Sequence, residues 1–205
     1  MYRNKRLLTI NFSRLTPYLP FIIFSILYLV GVLLGSLLIR FHIGTDIAVN
    51  LFDDFYSIRQ SLKFYNIIKN SVFNTFVPFI IIFISGTSIV GCVFIPIVLT
   101  VIGMKFGILV GYLYATYKLN GIMFSSFILL PLTIVALFGM VLLSIEAFKF
   151  SKMLSSICIM SNKPINIYLA FRIYCVKGSI TLISALVSVV LDVCMTSLFI
   201  NYFSF

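Results

Sequence analysis

The chain is short of the residues that carry chemistry. It holds one histidine, His42, five acidic residues and no tryptophan. A single imidazole cannot build an H-E-x-x-H zinc site, and neither that motif nor a G-x-x-x-x-G-K phosphate loop occurs. Intramembrane proteolysis by paired aspartates is excluded as well, because Asp192 is the only aspartate inside a long apolar segment. Gly86, Thr87, Ser88 and Gly91 would suit the surroundings of a membrane serine nucleophile. Ser88 would then need a general base within hydrogen-bond reach, and His42 is expected at the opposite membrane face. Four cysteines, Cys92, Cys158, Cys175 and Cys194, show no C-x-x-C spacing and no cluster in a loop, which argues against a disulfide framework or a metal site. The expectation is a protein that is not an enzyme, with no catalytic residue, no cofactor and no metal.

Charge is scarce too. Charged residues make up 10% of the chain and hydrophobic ones 61%, with a mean hydropathy of +1.17, more apolar surface than a soluble domain can hide. The 47 residues from Ser71 to Tyr117 contain Lys105 as their only charge. As one helix they would measure about 70 Å, whereas a hydrocarbon core of about 30 Å is crossed by roughly 20 residues. The net charge of +10 comes from Lys and Arg at the ends of apolar segments, a pattern that points to anionic phospholipid and away from nucleic acid.

The expected fold is an all-α polytopic membrane bundle forming a single domain over residues 1–205, with five spans at about 17–39, 68–86, 90–117, 119–147 and 178–200 and two interfacial amphipathic helices. Met1 to Thr16 carries four cations and precedes 23 uncharged residues, which reads as an uncleaved signal anchor. Arg3, Lys5, Arg6, Arg14, Lys149, Lys152, Lys163, Arg172 and Lys177 fall on one side, and Arg40, Arg59, Lys63, Lys69 and Lys118 on the other. The positive-inside rule then puts the N-terminus in the cytoplasm and the C-terminus outside.

Two connecting segments show helical periodicity. In the outer one, Thr45 and Asp46 start a helix whose Ala48, Leu51, Phe52, Phe55, Tyr56, Leu62 and Tyr65 oppose Asp53, Asp54 and Lys63. Phe52, Phe55 and Tyr56 are candidates for holding a protein partner, since aromatic anchors dominate interfaces. In the inner one, Ser161 and Asn162 precede Pro164, and Ile167, Tyr168, Phe171, Tyr174 and Cys175 form an apolar face beside Arg172 and Lys177.

Small residues recur where helices approach closely. Gly103, Gly107, Gly111 and Ala115 are spaced by four, and Gly31 and Gly35 repeat the spacing in the first span. Such a face suits an internal hairpin or association between copies. Three ionisable groups occupy costly positions: Lys105 within the third span, whose stem is expected to reach an interface or pair with an acid, Glu146 beside Lys149 at a span end, and Asp192 deep in the fifth. A charge at that depth costs about 2.5–3.5 kcal/mol on insertion scales, so Asp192 requires protonation, a Ser or Thr neighbour, or a basic partner.

The order of these features resembles the stage II sporulation protein M family. G-T-S-I-V-G at Gly86 to Gly91 leads into G-M-K-F-G-I-L-V-G at Gly103 to Gly111, then Asn120 and Gly121 at an outer turn, then Leu130 and Pro131. The likeness is specific from about Asn70 to Ala147 and one of pattern elsewhere. It implies a role in endospore formation: a non-catalytic anchor in the septal membrane that recruits two peptidoglycan-remodelling partners, stage II sporulation proteins P and D, for engulfment. The alternative is the membrane subunit of an ABC-type exporter, with Ser161 to Lys177 as a coupling helix and Asp192 on a polar path. Five spans and the lack of an inverted repeat weigh against it.

Overall fold

The computed structural model describes residues 18–41, 43, 45–60, 64–159 and 166–199. All regular structure among them is helical: α1 Leu19–Arg40, α2 Thr45–Gln60, α3 Phe64–Gly86, α4 Gly91–Phe124, a π-helical turn Ser125–Leu129, α5 Leu130–Ile159 and α6 Ile167–Phe199. Four continuous helical segments are long and apolar enough to cross a membrane, Leu19–Arg40, Tyr65–Gly86, Gly91–Cys158 and Ile167–Phe199, and the chain is a helical membrane protein.

That count corrects the expected five spans. The third and fourth expected spans, 90–117 and 119–147, belong to one 68-residue helical segment, and the outer turn foreseen at Asn120 and Gly121 is marked in it by a break at Lys118. Straight, it would be about 100 Å long; instead it folds back on itself. Lys118 breaks the helix with φ 47° and ψ −118°, a strained backbone for a residue with a Cβ. Gly121 then lies so close to the Leu113 carbonyl that a Cβ would stand 2.1 Å from its oxygen. At the other end of the segment, Ser151 donates to the Ser88 carbonyl at 2.7 Å, beside the start of α4.

The second expected interfacial helix is also corrected. The Asn166 side chain caps α6 by accepting from the Leu169 N–H at 3.2 Å, and the helix runs unbroken to Phe199. No proline interrupts it, and Gly178 is filled by the Phe83 ring packed against it. Ser161, Asn162, Lys163 and Pro164 lie outside the described residues, as do His42, Lys63 and the four N-terminal cations.

The widest interface joins α1 to α4. A Cβ on Gly103 would meet the Tyr28 carbonyl, on Gly107 that of Val32, on Gly31 that of Thr100 and on Gly35 that of Met104. Rising numbers on one helix meet rising numbers on the other, so the two run parallel, backbone against backbone, at a separation that allows Cα–H···O contacts. The glycines thus serve a pair within the chain. Gly111 faces Ser36 more loosely, and Ala115 is exposed and takes no part, because α1 ends at Arg40 and leaves it nothing to pack against.

The main core sits toward the Gly86–Gly91 end, around Phe79, Ile82, Ile95, Leu99, Val141, Leu143, Ala147 and Tyr174. Tyr174 is stacked between Phe83 and Phe150, at centroid distances of 4.8 and 4.9 Å, and donates to the Phe83 carbonyl. Its hydroxyl and Ala147 occupy the space a Cβ on Gly86 would need. Ser88 accepts the Val90 N–H within this turn, a local structural role.

A second core lies at the α2 end, where Phe52 packs with Leu113, Phe124, Ile128 and Leu129. Phe52 is 2% exposed and its ring contacts those of Tyr56, Tyr112 and Tyr117; Phe55 and Tyr56 lie half-buried against Phe124. The aromatic face foreseen as a partner surface therefore faces the bundle, since burying it there removes it from water without a second protein. Phe52→Ala should lower the stability of the purified chain alone by about 3–5 kcal/mol, the range for a buried Phe→Ala change, while Ile47→Ala on the exposed face changes it little. Melting curves of the two variants in detergent give the comparison, and equal melting temperatures would mean that the aromatic face is not core.

Candidate functional site

Asp192 lies on α6 near the α2 end of the bundle, and α2 reaches across to meet it. Helical periodicity places Arg59 in the last turn of α2 on the same face as Phe52 and Phe55, so the docking that buries the rings carries the guanidinium inward. Arg59 Nη2 donates to Asp192 Oδ2 at 2.5 Å, and the two side chains are 3% and 4% exposed. Ser71 on α3 donates its hydroxyl to the same carboxylate oxygen. Thr196, one turn beyond Asp192, donates to Oδ1 at 3.4 Å. Three helices thus converge on one carboxylate.

The arginine is held from its other side as well. Nη1 donates to the Phe55 carbonyl at 3.1 Å, and the guanidinium lies 3.3 Å from the centroid of the Phe55 ring, a cation–π contact. Nε alone finds no acceptor among the described residues. Burial pulls the Arg59 guanidinium below its ordinary range, while the charge of Asp192 and its hydrogen bond push it back up. Three donors converge on the carboxylate. The arrangement is a charge-neutral clamp that fixes α2 to α3 and α6.

Of the alternatives that the depth of Asp192 demanded, a basic partner and hydroxyl neighbours are both present. Arg59 itself went unrecognised, because by sequence it counts as a cation of an outer segment. Its four-residue spacing from Phe55, on the apolar side of α2, is the signal that could have found it.

At the opposite end, Glu146 on α5 accepts from Lys149 at 2.9 Å and from Lys177 on α6 at 2.7 Å. Both ammonium groups are well exposed, so each pair contributes about 0–1 kcal/mol. The cross-helix partner, Lys177, was hidden from a reading in sequence order. Lys105 is exposed on α4 and makes no hydrogen bond or ion pair among the described residues.

With Phe52 turned inward, the outward side of α2 presents Asp46, Asn50, Asp53, Asp54 and Ser57. The chain's other two acids, Glu146 and Asp192, are paired, so this face gathers every remaining carboxylate of a protein with net charge +10. Comparison with known protein families, with curated proteins and with solved structures finds no match.

Proposed function

We propose that the chain is a non-catalytic membrane anchor that displays α2 on the outer side of a bacterial cell membrane and holds a wall-remodelling enzyme there, as the resemblance to the stage II sporulation protein M family implies. The observation that carries this reading is the Arg59–Asp192 clamp. It uses the one deep carboxylate of the chain to fix a helix that spans no membrane, and so gives α2 one orientation with its acidic side outward. The same clamp weighs against the exporter reading, because it occupies the side chain a polar path would have used.

The N-terminus is then cytoplasmic, and the partner meets the face bearing Asp46, Asp53 and Asp54, with basic residues opposite. Asp46→Asn, Asp53→Asn and Asp54→Asn together should leave insertion and melting temperature unchanged but release a co-purifying peptidoglycan-remodelling enzyme. A deletion strain should stall at engulfment with a persistent septal wall. Normal engulfment after deletion, with an ATPase bound to the purified protein, would replace the anchor by the exporter subunit.

A further inference from the structure

Lys105 stands midway between Gly91 and the break at Lys118, about 20 Å along the helix axis from each at 1.5 Å per residue. Its neighbours Gly103 and Gly107 face α1, and Lys105 points the other way, into line with Phe94, Ile97 and Val101, all more than half exposed. A charged group therefore sits on the outside of the bundle, at mid-depth, in an apolar stripe.

The snorkelling expected of Lys105 from the sequence does not relieve it. The midplane of a hydrocarbon core about 30 Å thick lies about 15 Å from either interface, and the four-carbon stem of lysine covers less than half of that. A second copy of this chain cannot relieve it either. Its two acids in spanning segments, Glu146 and Asp192, already have partners, and Asp46, Asp53 and Asp54 sit on α2 at the far end of the bundle.

We propose that the face formed by Phe94, Ile97, Val101 and Lys105 docks a membrane-spanning helix of a different protein, one that carries an Asp or Glu at mid-depth to pair with Lys105. Apolar side chains supply the contact area, and the ion pair sets register, because an acid one turn away would leave both charges unpaired in hydrocarbon. This pairing requires only that the bundle be membrane-embedded, so it stands or falls separately from the role in engulfment.

The test uses the full-length protein at native level in its own cells, with a photoreactive amino acid at Ile97 or Val101. One membrane protein should be crosslinked, and its spanning segment should contain an Asp or Glu. Lys105→Arg should keep the crosslink. Lys105→Glu and Lys105→Met should lower it by about tenfold or more, as expected for loss of a buried charge partner. Changing the partner's acid to Lys should restore it in Lys105→Glu. Unchanged solubility and melting temperature of Lys105→Met show that the bundle itself is intact. Crosslinks confined to phospholipid would assign the ammonium to a lipid phosphate and overturn the proposal. So would crosslinks to a second copy, no crosslink at all, or a protein crosslink that Lys105→Met leaves unchanged.

Discussion

Asp192→Leu with Arg59 in place, or Arg59→Met with Asp192 in place, should destabilise the bundle by about 3–5 kcal/mol, because each leaves one buried charge without its partner. The double variant Arg59→Met, Asp192→Leu should recover most of that loss. Replacing a buried ion pair by apolar groups of similar size is often close to neutral, and the Ser71 and Thr196 hydroxyls can turn back to carbonyls of their own helices. Asp192→Asn should fall between, keeping a hydrogen-bond acceptor but abandoning the arginine's charge. The measurement is the melting temperature and monodisperse yield in one detergent across the four variants. If the double variant loses as much as the two singles combined, the clamp is not a coupled pair.

The second large effect belongs to the parallel seam. A Cβ added at Gly107 would stand 2.1 Å from the Val32 carbonyl oxygen, and the obstacle is backbone that cannot rotate away. Gly107→Leu should therefore drive α1 and α4 apart, at or beyond the upper end of the about 1–3 kcal/mol typical of overpacking. At Gly111 the nearest atom to an added Cβ is the Ser36 Cα, at 3.2 Å, so Gly111→Ala should be accommodated with a small loss. Thermal unfolding of the two variants in detergent would rank them, and equal tolerance would show that helix separation here is not set by the glycines.

The seam was legible on one side only. Spacing of four along α4 and α1 marks a face for close approach, and that follows from sequence because the glycines lie within single helices. Which helix meets which is a property of the assembled bundle, and an internal pair or contact between copies would leave the same pattern. The same limit applies to α2: alternation of Phe52, Phe55 and Asp53 marks an amphipathic helix but does not say whether its apolar side meets lipid, a partner or its own bundle. The bend at Lys118 was legible, since it falls between the expected spans 90–117 and 119–147 beside Asn120 and Gly121; what the sequence did not show is that a lysine would take the positive φ. Asp192 was the most informative residue, because its depth required compensation whatever the fold. Its arginine, 133 positions away, could be named only once α2 was docked.

That separation also orders events in time. Helices leave the insertion machinery in chain order, so Arg59 is in place long before Asp192 has been synthesised. Until α6 arrives, the guanidinium has no buried acid to meet and is held at the water interface by its own hydration, although Leu113, Phe124, Ile128 and Leu129 are already there for Phe52 to pack on. α1 likewise waits for α4, since the two faces of its seam are separated by the whole of α2 and α3. The α1–α4 seam can therefore close before α6 is made, whereas the Arg59–Asp192 clamp closes only with it. A nascent chain arrested before Asp192 would expose a wet arginine at the membrane surface, a form that a quality-control protease could distinguish from the finished protein by that side chain alone.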